Sequence, residues 1–162
     1  MKMIVAVDEN WGIGKDGDML QPISKDLKFF RQTTTGNVIV IGRKTLESFP
    51  KKKPLPNRVN VVLTNNKAYS AEGIVLCHDI EKLDEVLAPY AEKEIFVAGG
   101  GTIYKQLLPK CDTALVTKIY NTYPADTVFP NLDADPEWVL AEKGEVQEEN
   151  GVRFSFDTYK RK

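Results

Sequence analysis

The stretch Ile95-Phe96-Val97-Ala98-Gly99-Gly100-Gly101-Thr102-Ile103-Tyr104 runs from an apolar, strand-like segment through three glycines into a helical pattern. Glycines at such a turn let the backbone approach a ligand closely, and the helix start that follows offers unpaired N–H groups to an anion. The spacing is neither a G-x-G-x-x-G fingerprint nor a Walker A loop. Taken alone it is a tight strand-to-helix turn or a phosphate cradle. Working outward, Ile41-Gly42-Arg43-Lys44-Thr45 makes a second such transition, with two cations and a hydroxyl at the start of a short helical stretch. Ligands of open α/β sheets bind beyond the carboxyl ends of the strands, so two such turns in one chain support each other. A dinucleotide has a pyrophosphate to place there, and NADPH a further phosphate that wants an arginine or lysine.

The surrounding pattern agrees. Met3–Val7, Val38–Ile41, Val59–Leu63, Ile95–Ala98 and Leu115–Ile119 are short runs rich in Val and Ile, bounded by Gly, Asn or Asp. They read as strands buried on both faces, the habit of a parallel sheet. Between them, Ser24 is placed to cap a helix over Lys25–Thr34. Leu83, Val86, Leu87 and Tyr90 recur at helical spacing within Glu81–Ala91, and Ile103, Leu107 and Leu108 mark a helix that stops at Pro109. Alternating strands and helices predict an α/β sheet with helices on both faces. In the C-terminal third, Trp138–Lys143 and Val152–Lys160 read as an antiparallel hairpin closing one sheet edge. Val152, Phe154, Phe156 and Thr158 alternate there with Arg153, Ser155, Asp157 and Tyr159.

Composition bounds the function. The chain has 162 residues, of which 42% are hydrophobic and 28% charged, with a net charge of −1. One domain over residues 1–162 is expected. The charge balance excludes a uniformly basic nucleic-acid coat or a polybasic membrane anchor. No apolar run reaches the roughly 20 residues a membrane span needs, and no secretory leader is legible. Cys77 and Cys111 read as buried free thiols, and the cytoplasm is the expected compartment. His78 is the only histidine, which argues against a two-histidine metal site or a Ser-His-Asp triad, so no metal is expected.

Two residues stand out as ligand groups. On a helix over Lys25–Thr34, Asp26 falls within the apolar arc of Leu27, Phe29 and Phe30, while Lys28, Arg31 and Gln32 lie opposite. A carboxylate on the buried side of a helix needs a partner. Burial raises its pKa and the helix N-terminus lowers it. It reads either as a first-turn aspartate serving the helix dipole or as the floor of a ligand site. Arg58 follows Pro54-Leu55-Pro56, whose prolines stiffen the loop, and can present a fixed guanidinium fork to a carboxylate.

These residues, in order along nearly the whole chain, resemble the dihydrofolate reductase family. The match runs through Ile4-Val5-Ala6-Val7-Asp8-Glu9-Asn10, Gly12-Ile13-Gly14-Lys15, Asp26-Leu27 with Phe30, Thr35-Gly36 and Gly42-Arg43-Lys44-Thr45 with Glu47-Ser48. It continues through Pro54-Leu55-Pro56 with Arg58, Asn60-Val61-Val62, Gly99-Gly100-Gly101, Ile103-Tyr104, Leu115-Val116-Thr117, Asp126-Thr127 and Phe129-Pro130. The resemblance implies a central eight-stranded, mostly parallel sheet with a C-terminal antiparallel strand and helices on both faces. It implies NADPH-dependent reduction of dihydrofolate to tetrahydrofolate, an antifolate target in one-carbon metabolism.

Carried over by position, Asp26 is the carboxylate that meets the pterin, with Thr117 bonded to both. Ile4, Val5, Leu27, Phe30 and Leu55 line the folate pocket, and Arg58 grips the glutamate carboxylate. Ala6, Ile13, Gly14, Ala98 and Tyr104 surround the nicotinamide. Gly42, Arg43, Lys44, Thr45, Leu63, Thr64 and Asn65 hold the phosphates and adenosine, and Gly99, Gly100, Gly101, Thr102 and Ile103 meet the pyrophosphate. The Gly99–Gly100 bond is expected to be cis. Leu20-Gln21 stands where the family usually has Pro-Trp, and Gln21 retains an amide that can hold a water near the pterin. Ser24 stands where a proline is common, and His78 falls near the adenine end. Dihydrofolate and folate-like inhibitors are the expected small-molecule partners of a monomer. A pyrimidine reductase of the same fold and a non-catalytic NADPH-binding homologue are the alternatives. The first lacks a use for Pro54-Leu55-Pro56 with Arg58, and binding of NADPH without turnover selects the second.

Overall fold

The computed structural model describes residues 1–162. In chain order the elements are β1 (Lys2–Val7), β2 (Gly12–Lys15), β3 (Asp18–Met19), α1 (Ser24–Thr34), β4 (Val38–Gly42), α2 (Arg43–Ser48), β5 (Val59–Leu63) and β6 (Val75–Cys77). They continue with α3 (Leu83–Leu87), β7 (Ile95–Val97), α4 (Gly101–Leu107), β8 (Thr113–Ile119), β9 (Thr127–Val128), β10 (Trp138–Glu142), β11 (Gln147–Glu149) and β12 (Val152–Arg161). The central sheet runs β10-β12-β8-β1-β7-β4-β5-β6. The strands from β8 to β6 are parallel, and β12 joins β8 antiparallel. This is the eight-stranded, mostly parallel sheet that the family resemblance implies.

The parallel strands are buried on both faces, as their unbroken apolar runs require. In β4, Val38 and Val40 enter a larger core cluster, while Ile39 and Ile41 enter a smaller one on the other face. Leu83, Leu87, Ile103 and Leu107 bring α3 and α4 to the larger cluster. Leu46 of α2 and Phe29 and Phe30 of α1 join the smaller. No helix is long and apolar enough to cross a membrane.

Three details differ from the sequence reading. Ser24 is already helical, and Ile23 occupies the N-cap with no side-chain bond to the helix. The C-terminal hairpin has an extra short strand, β11, which also pairs with β12. Both faces of β12 are covered: Ser155, Asp157 and Tyr159, on the alternation opposite the apolar positions, are all buried. Their polar atoms are satisfied rather than solvated. The Ser155 hydroxyl donates to Asp157 Oδ1 at 2.9 Å and pairs with the Tyr120 hydroxyl at 2.7 Å, and Tyr159 donates to Asp133 at 2.7 Å. A second small sheet, β3-β2-β9, stands beside the first and joins the segment 9–21 to Thr127–Val128 as one arm.

Candidate active site

The carboxyl ends of β4 and β7 meet side by side. The Gly42 N–H donates to the Gly99 carbonyl at 2.9 Å, joining the two glycine turns. The Gly99–Gly100 peptide bond is cis. Helices α2 and α4 start from Gly42 and Gly100, and neither has a side-chain cap, so both first turns leave N–H groups to a ligand. A Cβ on Gly101 would sit 2.5 Å from Thr127 Cγ2 and 3.9 Å from Ile13 Cδ1, so glycine is required where α4 meets the arm. The Thr45 hydroxyl lies 3.5–3.7 Å from the Cβ positions of Gly99 and Gly100. Arg43 is fixed by Glu47 at 2.8 Å and lies 6.0 Å over the Tyr69 ring, while Lys44 is exposed. Thr64 follows β5, where its N–H donates to the Cys77 carbonyl at 3.1 Å. His78 Nδ1 pairs with the Thr64 carbonyl at 3.0 Å. Asn65 and Thr102 are exposed beside these turns, and Leu63 is buried beneath them.

Asp26 stands on α1, which packs on the same smaller cluster as α2. Thr117, buried on β8 and 91 positions away in sequence, donates its hydroxyl to Asp26 Oδ1 at 2.6 Å. Burial pushes the Asp26 carboxyl above the ordinary aspartate range, and the Thr117 bond pulls it partway back. The Tyr104 hydroxyl donates to the Ile4 carbonyl at 2.7 Å. Burial, then the charge of Asp26, holds the phenol in its neutral form. Ile4, Phe30, Leu55 and Ala98 gather in the smaller cluster. Leu27 keeps 48% exposure, an apolar surface open to a ligand. Val5, Leu63, Ile103 and Tyr104 belong to the larger cluster on the opposite side of the sheet, where Ile13 packs, and Ala6 packs on a third.

Arg58 is held in place, its Nε donating to the Pro56 carbonyl at 2.9 Å and one terminal nitrogen to the Thr34 hydroxyl at 3.2 Å. Burial, then the nearby Arg31 guanidinium, lowers its pKa. Arg31, which the sequence reading sets on the opposite side of its helix from Asp26, is thus close enough for its charge to act on Arg58. The loop before Arg58 owes its form to Asn60 as well as to its prolines. The buried Asn60 amide bonds Leu55 N–H and C=O, both at 3.0 Å. A polar residue inside the run Val59–Leu63 is the signal that could have found it. Gln21 donates to the Pro22 carbonyl at 3.2 Å, and its amide is not joined to Asp26.

Asp8 went unassigned, yet it fixes the base of the arm. Its buried carboxylate accepts N–H bonds from Asn10 at 2.9 Å, Gly12 at 2.8 Å and Tyr123 at 3.0 Å. Further along, Asp126 accepts from Asp16 N–H at 2.9 Å, and the strand pairing of Gly14 with Thr127 closes the same junction.

Comparison with known proteins bears on this arrangement. The family described as Dihydrofolate reductase matches residues 1–161. The chain belongs to the dihydrofolate reductase family. A dihydrofolate reductase of Staphylococcus haemolyticus is 36% identical over 99% of this chain and 95% of its own length, and one of Bacillus subtilis is 34% identical over 100% and 95%. A bifunctional dihydrofolate reductase-thymidylate synthase of Glycine max is 37% identical, with the chain spanning 33% of that protein's length. Among solved structures, dihydrofolate reductase from Enterococcus faecalis, complexed with NADP(H) and RAB-propyl, is 38% identical. It superposes with a TM-score of 0.83 over 99% of this chain and 95% of that one.

Proposed function

We propose that this chain reduces 7,8-dihydrofolate to 5,6,7,8-tetrahydrofolate with NADPH. The observation that carries the reading is the Asp26–Thr117 pair: a half-buried carboxyl of raised pKa, bonded from α1 to β8, beside the exposed apolar side chain of Leu27. The reaction adds a hydride to carbon 6 of the pterin and a proton to the adjacent nitrogen, leaving NADP+. NADPH, when bound, supplies the hydride.

The residues present fit that cofactor. Two uncapped helix starts, the glycine positions that side chains would fill, and Arg43, Lys44 and Thr45 would hold its phosphates, with Thr64, Asn65 and His78 on the adenosine side. Gly99 to Ile103 would meet the pyrophosphate. Ile13, Gly14, Ala98 and Tyr104 would border the nicotinamide.

Asp26 does not transfer the proton itself. Oδ1 already accepts from Thr117, and the two carboxylate oxygens together receive the pterin's amino and ring N–H groups. Polarised in this way, the ring takes its proton from water. Arg58, with Arg31 beside it, binds the carboxylates of the glutamate tail. Gln21 gives one amide N–H to Pro22, which leaves its Oε1 and its second N–H to hold a water. All these groups come from one chain, so a monomer suffices.

The test is NADPH oxidation followed by absorbance, with and without dihydrofolate, on wild type and Asp26→Asn. Dihydrofolate-dependent oxidation that collapses in the variant supports the reading. Full turnover by Asp26→Asn across neutral pH, or NADPH binding with no turnover by wild type, overturns it.

A further inference from the structure

The helix that carries Asp26 has no cap of its own. Its N-cap residue, Ile23, has only an apolar side chain to offer. The Glu149 carboxylate, 125 positions away from Ser24, does the capping. Oε2 accepts the Ser24 N–H at 2.7 Å and Oε1 the Lys25 N–H at 3.1 Å. Glu149 ends β11 and pairs with Val152 of β12. On that same strand, Phe156 stands opposite Thr117 and stacks on Phe29 of α1 at 4.7 Å. One strand therefore positions both the hydroxyl that holds Asp26 and the carboxylate that holds the start of its helix.

We propose that Glu149 is a positioning residue for the reaction: by capping α1 it fixes Asp26 against Thr117, and its charge offsets the positive end of the helix, leaving Asp26 free to hold a proton. Uncompensated, the N–H groups of a first helical turn favour the ionised form of a carboxylate on that turn. The Thr117 hydroxyl from β8 bonds Asp26, the Tyr104 phenol from α4 feels its charge, and Lys25, Lys28 and Arg31 stand on the same helix. Glu149 is the carboxylate bonded to the helix start. The inference rests on the reading of Asp26 as the carboxyl that assists protonation.

The experiment measures kcat and KM for dihydrofolate against pH, at saturating NADPH, for wild type, Glu149→Ala, Glu149→Gln and Asp26→Asn. In Glu149→Ala, KM for dihydrofolate rises about threefold to tenfold. The alkaline limb of kcat moves down by about half a pH unit, read as about threefold lower turnover on that limb. KM for NADPH stays unchanged. Glu149→Gln keeps one accepting oxygen of the two and no charge, so it recovers part of the KM loss but retains the shifted limb. That variant also carries the test if Glu149→Ala folds poorly. A limb and a KM like those of wild type in both Glu149 variants, with Asp26→Asn inactive, overturn the inference, as does a loss of thermal stability alone. Full turnover by Asp26→Asn overturns the underlying reading instead, and it is recognised because Glu149 is then intact.

Discussion

Asp26 at the floor of the site and Asp126 at the arm are handled in opposite ways. Asp26 is half-buried with a single hydroxyl donor, and desolvation dominates, so its carboxyl binds a proton more tightly than an ordinary aspartate. Asp126 is exposed and accepts the Asp16 N–H, with the Thr127 hydroxyl donating to its other oxygen at 2.9 Å. Those bonds hold its pKa below the ordinary range. Desolvation without full compensation makes a group that keeps its proton to higher pH than an ordinary aspartate. Hydrogen bonding without desolvation makes a fixed anion. The floor holds a carboxyl whose protonated form is favoured, and the arm holds a carboxylate that stays ionised as a tether.

The largest effect should come from breaking the floor. Asp26→Asn is expected to lower kcat for dihydrofolate reduction about a thousandfold. It should not lower stability at neutral pH. With its folded pKa raised above the unfolded value, ionised Asp26 is unfavourable to the folded state once pH exceeds the unfolded pKa, and the neutral amide removes that penalty. A melting temperature that stays level or rises while turnover collapses is the expected pair of results. A fall in both would make Asp26 a structural residue. The arm should fail in the reverse sense at its base. Asp8→Ala leaves the N–H groups of Asn10, Gly12 and Tyr123 without their acceptor, and chemical denaturation should register a loss of about 3 kcal/mol.

How far the sequence discloses these two regions follows from how local each is. The strands buried on both faces, the two glycine turns and the inward Asp26 are written into short windows: unbroken Val/Ile runs, a Gly-Gly-Gly turn, one acid on an apolar arc. The partners are not. Thr117 came only with the family resemblance, since nothing in Leu115–Ile119 marks its hydroxyl as facing a helix 91 positions away. Ser24 has the right chemistry for a cap, but the chain enters the helix one residue early and Glu149 reaches in from β11. Ser155 and Asp157 look like the solvent side of β12 under strict alternation. They are buried because that face is covered as well and their polar atoms bond each other, Tyr120 and Gly144 N–H. Periodicity reports which residues share a face. It does not report what packs against that face.

A smaller break tests whether the arm and the cofactor cradle are one unit. A methyl at position 101 would lie 2.5 Å from Thr127 Cγ2, so Gly101→Ala must push the arm off α4. KM for NADPH should rise about tenfold, which is on the order of 1.4 kcal/mol. Thr127→Ser removes the offending methyl and should restore most of the affinity in the double variant. No recovery would locate the effect in α4 itself.

The smallest effect sharpens the comparison most. Because the folded pKa of Asp126 is depressed, its tether is complete above the unfolded aspartate pKa and is lost only as pH falls through the lower folded value. Asp126→Asn removes the charge at every pH. At neutral pH its KM for NADPH should exceed that of wild type about threefold, the size of a modest exposed charge-assisted bond. In acid the two should converge, below the ordinary aspartate range and not before it. Asp26 moves the other way, so on acidification it takes up its proton first while Asp126 is still ionised. That ordering creates an interval in which the floor is protonated and the arm is still tied at Asp16. KM for NADPH followed through that interval should stay flat in wild type as kcat reaches its acid plateau. A KM that climbs together with the protonation of Asp26 would mean that floor and arm titrate as one, and the contrast between them would be lost.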